Sequence, residues 1–496
     1  MTSAEVPWRR LSVRTFYLAL LRALVAMVPG YLGLVVLNDG SPVWVLVAGS
    51  FFGLLGSLGD LVRWQTTRYR VTPDRVEMRT GWLARKHRTV GRDRIRSVDS
   101  TARGLSRLLG LRTVHIGSGE AQSSFQLNAL DTGHAERLQQ ELMHGTTRTA
   151  GETGTEADSE HAEPETVIAR LRRDWIPLNV ITVWAPLVVA GPVVGAYWFL
   201  RPFGVDLLDY GRGLVDWSPL IVVVAVLVAY PIGIALKAGT FLLEWWNFQL
   251  VRVGTPPATA LVTRRGLINT QTVSRDDERM RGIAFAEPLW WRWLHLTETK
   301  VITTGLGTSG QSPTSTVLPR IRMAEARDLA ARILPDGHRP LEAPLRSHPR
   351  GALVRRLGWA LWWPALLAGA LLLFAVSGAL PYWAVPLPFA LLPLGLPLAV
   401  AAYRALGHAS TGPYLVVRRG PLTRTTVALQ DRAVIGWTFQ QSLFQRRGNR
   451  IDVGIATAAG ERAYHAYDMG VDQALTFALS ATPDLAAQFL EPAETR

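Results

Sequence analysis

Gly305-Leu-Gly-Thr-Ser-Gly310 fits G-x-G-x-x-G and follows a β-branched run, the first half of a dinucleotide fingerprint. The second half is missing. Gln311-Ser-Pro-Thr-Ser-Thr-Val cannot open the helix whose N-terminus would receive a pyrophosphate, so the segment reads as a flexible hairpin loop. Asp276-Asp-Glu278 offers oxygens to a divalent cation, but Arg275, Arg279 and Arg281 flank it, and a solvated turn with local ion pairs is expected. The ten histidines include no H-E-x-x-H spacing, and no G-x-S-x-G elbow occurs. Cysteine is absent, which removes disulfides and thiolate metal sites. No catalytic residue, metal or cofactor is assigned on this pattern, and an enzyme is not expected. What remains is basic: Arg85, Lys86, His87, Arg88, Arg92, Arg94 and Arg96 in one cluster, and Arg418, Arg419, Arg424, Arg446, Arg447 and Arg450 in another. Alternate strand residues share a face, so such clusters could engage phosphate through charge-assisted hydrogen bonds. The plainer alternative is the ordinary positive face of a protein beside a membrane.

The elements that would position these clusters begin with long apolar blocks. Hydrophobic residues make up 48% of the 496 and charged residues only 19%, below the roughly 25% of soluble domains. No Asp, Glu, Lys or Arg stands between Leu357 and Tyr403, enough for two crossings at about 20 residues each. Trp175 to Leu200 and Trp217 to Leu236 are likewise uncharged and give a second hairpin across a polar connection, Arg201 to Asp216. A first hairpin runs from Phe16 to Leu37 and Pro42 to Gly59, with Asn38-Asp-Gly-Ser41 as its turn and Arg22 near one end, where it could snorkel. A cleaved signal peptide is the alternative for this segment, but a second apolar run follows at once and no small-x-small site stands clear of it.

Orientation follows from charge, because Lys and Arg near membrane ends stay cytoplasmic. Arg9, Arg10 and Arg14 precede the first hairpin and Arg63, Arg68 and Arg70 follow it; Arg172 and Arg173 precede the second; Arg355 and Arg356 precede the third and Arg404 follows it. A multi-pass protein of the cell membrane with both termini cytoplasmic is expected. Trp64, Trp175, Trp217, Trp245, Trp246 and Trp359 sit near the proposed membrane ends, as an aromatic belt or as domain core. The net charge of +14 then suits anionic headgroups, and no nucleic-acid-binding motif is present.

An internal repeat organises the rest. Val76-Glu-Met-Arg-Thr-Gly81, Leu261-Val-Thr-Arg-Arg-Gly266 and Leu415-Val-Val-Arg-Arg-Gly420 each end in glycine. Fourteen positions on stand Ile95, Met280 and Val434; seventeen on, Val98, Ile283 and Trp437; thirty-five on, Ile116, Val301 and Ile455, each inside a β-like run. Each unit ends in a helix-like segment, Ala135 to Met143, Met323 to Leu334 and Val471 to Leu490, and each follows its own hairpin. Coincidence among abundant apolar residues is the alternative, and the joint recurrence of glycine, offsets and hairpin argues against it.

Tyr69-Arg-Val-Thr-Pro-Asp-Arg-Val-Glu-Met-Arg-Thr-Gly81, the basic strand Arg85 to Val90, Arg94-Ile-Arg-Ser-Val98 and Leu105 to Ile116, all behind a hairpin, resemble the bacterial membrane proteins with pleckstrin-homology (PH) domains of the YdbT type. The second repeat departs most, with Glu287-Pro-Leu-Trp-Trp-Arg-Trp-Leu294 in place of the Leu-Ser-Arg-Leu-Leu-Gly stretch. The resemblance implies a PH-like fold of two packed antiparallel sheets closed by a C-terminal helix, and a smaller companion membrane protein with a PH-like domain as partner. The expected fold class is a mixed membrane protein with six transmembrane helices as three hairpins and three β-rich PH-like domains. Its parts are a cytoplasmic N-terminus (1–15), hairpins at 16–62, 170–244 and 355–406, PH-like domains at 63–146, 245–335 and 407–496, an acidic linker at 147–169 and a second linker at 336–354. The expected function is a non-enzymatic scaffold whose PH-like domains meet proteins or the lipid surface; a subunit of an export or envelope-protection system is the alternative, and a lipid-modifying enzyme a third.

Overall fold

The computed structural model describes residues 7–36, 43–81, 86–117, 125–138, 164–201, 219–304 and 315–483, apart from 93, 94, 96, 103, 136, 183 and 257. The glycine-rich motif at 305–310, most of the acidic linker and of the connection from 201 to 216, and the turn at 38–41 lie outside them. The chain divides into two compact units, Met1–Asp276 and Asp277–Arg496.

The first unit holds β1 (Arg9–Arg10), β2 (Arg68–Val71), β3 (Arg75–Thr80) and β4 (Lys86–Gly91), paired in that order as a four-stranded antiparallel sheet. It also holds β5 (Ser97–Ala102), β6 (Leu111–Gly117), β7 (Phe125–Asp131), β8 (Glu165–Arg170), β9 (Gln249–Thr255), β10 (Ala258–Arg265) and β11 (Thr270–Asp276), which form one seven-stranded sheet ordered β7-β6-β5-β11-β10-β9-β8. The second unit holds β12 (Met280–Pro288), β13 (Leu296–Thr303), β14 (Thr316–Arg322), β15 (Gly407–Thr411), β16 (Tyr414–Arg419) and β17 (Thr423–Gln430), ordered β14-β13-β12-β17-β16-β15. A three-stranded sheet, β18 (Val434–Gln440), β19 (Arg450–Thr457) and β20 (Ala463–Gly470), completes it. Residues 249–276 and 280–322, which the sequence groups together, thus belong to two different sheets. The repeat counted along the chain and the sheet counted across hydrogen bonds are out of phase.

The three repeat glycines share one backbone state: φ is +115° at Gly81, +106° at Gly266 and +101° at Gly420. L-residues avoid this region, and a Cβ at Gly266 or Gly420 would also collide with the carbonyl of Asn269 or Thr423 across the turn. The apolar positions counted from these glycines are all core. Ile95, Met280, Val434, Val98, Ile283, Trp437, Ile116, Val301 and Ile455 are buried. In the first repeat Val76, Met78 and Val90 of β3–β4 pack against Val98, Val114, Ile116 and Leu127 of β5–β7, with Ala135 and Leu138 closing the end. In the third, Leu415, Val417 and Val427 pack against Trp437, Val453, Ile455 and Tyr464, and the helix Val471–Ala481 adds Ala474, Phe477 and Ala478.

The apolar segments are paired helices. Arg14–Val36 lies along Val43–Thr66, Ala185–Leu200 along Pro219–Trp245, and Arg350–Val376 against the segment Tyr382–Arg404. Among the described residues, three segments are long and apolar enough to cross a membrane: Val223–Trp245, Arg350–Val376 and Tyr382–Arg404. The expected crossing from Trp175 to Leu200 is interrupted. A short helix Trp175–Val180 ends where Ile181 turns extended, and only Ala185–Leu200 continues. Trp175 and Trp245 are buried around Phe248 as domain core, whereas Trp246 and Trp359 are exposed. Prolines, which lack the N–H of the helical ladder, punctuate the last crossing: 3-10 turns at Tyr382–Ala384 and Leu387–Leu391 precede the helix Leu392–Arg404. Arg22 pairs with Asp60 at 2.6 Å within the first hairpin.

Sequence reading starts each β-rich domain after its hairpin, but the ladder starts before it. Arg9 and Arg10 pair with Tyr69 and Arg68, β8 pairs with β9, and Arg346 bridges to His408. The first two hairpins are each inserted between neighbouring strands of a sheet, and the third between a single bridge and β15.

Candidate functional site: an arginine cleft beside the third hairpin

The seam between β12 and β17 places Glu287 directly across from Arg424. The guanidinium grips the carboxylate with two N–H donors, Nε at 3.2 Å from Oε1 and Nη2 against Oε2. The short helix Leu289–Trp293 follows at once and turns Arg292 back, so that its Nη2 donates to the Pro421 carbonyl. Arg418 on β16 donates from Nε to the Ala405 carbonyl and from Nη2 to that of Arg404, both at 3.2 Å. Those carbonyls belong to the frayed end of the last membrane helix, and the arginine satisfies groups the helix leaves open.

Arg292, Arg404 and Arg424 line one cavity of about 450 Å³ whose other wall is Pro397, Val400, Ala401 and Ala405 of that helix. Among the described residues no acidic side chain lines it. Burial lowers the Arg292 pKa, and the Arg424 charge lowers it further against a smaller opposing effect of Glu287. Burial and Arg424 act on Arg418 in the same direction. Arg292 Nε is buried with no hydrogen-bond partner among the described residues. A buried cationic donor left unmet is costly, and an anion is what would meet it. Positive charge on one wall and hydrocarbon on the other suit an anionic group carried on an apolar chain.

The two expected basic clusters fare differently. Arg85, Arg94 and Arg96 lie outside the described residues. Lys86 and Arg88 sit on β4, Lys86 exposed and Arg88 half-buried, and the Arg92 backbone N–H donates to the Asp74 carbonyl just past the strand. Arg424 lines the cleft and meets Arg418 in a neighbouring cavity that Glu287 also lines, while Arg419 is drawn off to Glu461 at 2.8 Å. Arg446 and Arg447 are exposed on the helix Leu443–Arg447, beside Leu443 at 81% and Phe444 at 77% exposure. Trp290, Trp293 and Leu294 are similarly exposed around Arg292. Bulky apolar groups interleaved with arginine are the composition of a membrane-surface helix. Sequence reading missed Arg292, although a signal existed: Arg107, Arg292 and Arg446 each stand twenty-six residues after their repeat glycine. Asp277, expected in a solvated turn, is buried in a 3-10 turn.

Two of the arginines used to assign orientation are also occupied. Arg355 and Arg356, at the start of the third hairpin, donate to opposite oxygens of Asp468 at 2.6 and 2.8 Å. Arg450 approaches the same carboxylate at 3.6 Å and Gln445 at 3.1 Å. Burial raises the Asp468 pKa, but the Arg355 hydrogen bond and charge, with Gln445 and Arg356, outweigh it and hold the carboxyl below its ordinary range. Nearby, His348 Nδ1 donates to the Tyr467 carbonyl at 2.7 Å, so its Nε2 is left to accept from His408 Nδ1 at 3.2 Å. Burial lowers the pKa of both imidazoles, that of His408 to about 4.

Sandwiches of paired sheets closed by a helix, with apolar helical hairpins set into their ladders, define a membrane-anchored protein of PH-like architecture. The chain belongs to the family of bacterial PH domains, whose model matches residues 19–146 and 353–481, in the first and third repeats. It is 20% identical over 412 residues to the UPF0699 transmembrane protein YdbT of Bacillus subtilis (strain 168), across 78% of this chain and 79% of that one. No solved structure matches it.

Proposed function

We propose that the chain is a non-enzymatic multi-pass scaffold of the cell membrane, crossing six times as three hairpins with both termini cytoplasmic. It holds three PH-like domains against the anionic membrane surface. The arginine cleft carries this reading: among the described residues, three guanidiniums and no carboxylate line a cavity whose far wall is an apolar helix. Headgroup phosphate would complete the donors of Arg292 and Arg404, and the acyl chains would follow Pro397 and Val400 toward the bilayer. Attraction of basic side chains to an anionic leaflet, about 1 kcal/mol each near the surface, adds to it at Arg446 and Arg447.

The test is native mass spectrometry of the full chain extracted in mild detergent with phosphatidylglycerol or phosphatidylcholine. Retention of phosphatidylglycerol, reduced in Arg292→Gln/Arg404→Gln, is expected. Equal retention of the two lipids by the unsubstituted chain would overturn the lipid-surface reading.

A further inference from the structure

Consecutive repeats are joined by one rule, and it is applied twice with the same register. Ser274, eight residues after Gly266, faces Val98, seventeen after Gly81. Ala428, eight residues after Gly420, faces Ile283, seventeen after Gly266. In both seams the strand that follows the repeat glycine in a later repeat lies antiparallel against the strand next after its counterpart in the repeat before it. Three repeats supply three strands of each kind, and two seams use two of each. Among the described residues β4 is left with β3 as its sole ladder partner, and β18 with β19.

The leftover edges carry the marks of a seam. β18 reads Val-Ile-Gly-Trp-Thr-Phe-Gln, with no charge to blunt it and Ile435 62% exposed. Unpaired edges of this composition are sticky, and proteins protect them with charge or cover them. β4, with Lys86, His87 and Arg88, has no acid and brings no charge conflict to an uncharged strand. The glycine sixteen positions into the second and third units, where the first has Ser97, is the second mark. Gly282 and Gly436 stand there, each at the bulge against its neighbouring strand. A Cβ at Gly282 would collide with the Ala428 carbonyl across the seam. Gly436 has nothing of the kind, its nearest atom being the Ala456 Cβ at 4.0 Å. The space that a partner strand fills at Gly282 is open at Gly436.

We infer that β4 of one copy of this chain pairs antiparallel with β18 of a second copy, Thr89 opposite Trp437, so that the Thr89 carbonyl lies over Gly436. A second copy is the occupant because this chain carries both halves of the seam in matching register. The contact joins unlike surfaces, so it builds a ring or an open row rather than a two-fold dimer. In this register Arg88 faces Thr438 and Lys86 faces Gln440.

The absence of cysteine makes the test direct. Two differently tagged full-length copies, one Arg88→Cys and the other Thr438→Cys, are co-expressed and oxidised in native membranes. A disulfide-linked species carrying both tags is expected, and likewise for Lys86→Cys with Gln440→Cys. Thr89→Cys with Thr438→Cys, on opposite faces of the joined sheet, should stay unlinked. Gly436→Ala should abolish the link without changing the melting temperature, because its own chain leaves room for the methyl. Absence of any disulfide between copies, a disulfide formed within one chain carrying both cysteines, or a link indifferent to Gly436→Ala would overturn the inference.

Discussion

Replacing Asp468 by Asn isolates a charge at the foot of the third hairpin. The exchange is nearly isosteric, and Asn tolerates the left-handed backbone that Asp468 adopts at φ +57°. It removes the anion that Arg355, Arg356 and Arg450 share, leaving Arg355 only Asp452 at 3.9 Å among the described residues; the three side chains are 23%, 14% and 9% exposed. Breaking a buried ion pair from one side costs about 3–5 kcal/mol, because the opposite charge is left uncompensated. The arginines keep some solvent and Asn keeps one acceptor, so the lower end, about 3 kcal/mol, applies. For a unit of this size that lowers the melting temperature by roughly 6–12 °C, read by differential scanning fluorimetry in detergent. The effect also has a pH signature. The Asp468 carboxyl is depressed in the fold, so its contribution is full above the ordinary carboxylate pKa and lost as pH falls through the folded value. The difference between the native chain and Asp468→Asn should therefore shrink in acid. A melting temperature within about 2 °C of native at neutral pH, less than 1 kcal/mol, would refute the reasoning.

Three other outcomes are expected. His408, with a pKa near 4 in the fold against about 6.5 unfolded, binds fewer protons folded than unfolded between those values, so stability is whole above about pH 6.5 and falls by roughly 2–3 kcal/mol toward pH 4; His408→Leu should flatten that limb in a pH series of melts. Glu287→Gln leaves Arg292, Arg418 and Arg424 without their shared anion and should loosen the β12–β17 seam, seen as faster amide exchange across 282–288 and 423–429, with high salt partly restoring protection. Gly420→Ala forces a left-handed residue and a collision with Thr423, and should cost more than about 1 kcal/mol by chemical denaturation.

The repeat was legible because its signals are local. A glycine that must take positive φ and apolar residues that must be buried keep fixed spacings wherever the turn and the ladder are the same. All nine counted positions are core. The break at Ile181 was invisible because hydropathy does not register a change of backbone direction. β8 went unseen for a different reason: Glu165-Thr-Val-Ile-Ala-Arg170 is short and follows an acidic tract, and its partner β9 arrives only after a whole membrane hairpin. The cleft lay deeper still. Arg424 and Arg418 stood in the sequence as two cations among many, and Arg292 as an interruption in a tryptophan run. Only pairing across the seam, 137 residues apart for Glu287 and Arg424, shows which arginines share an anion and which, like Arg419, have one of their own.

The insertion of each hairpin between ladder partners makes the membrane part, seen from the sheet, a turn. Arg10 and Arg68, Arg170 and Gln249, and Arg346 and His408 are ladder partners, with Cα atoms roughly 5 Å apart. The two legs of a hairpin consequently leave the sheet from one point and cannot part there without unzipping the ladder. A torque applied to the sheet is delivered to both legs at once, as to the tines of a fork through its handle.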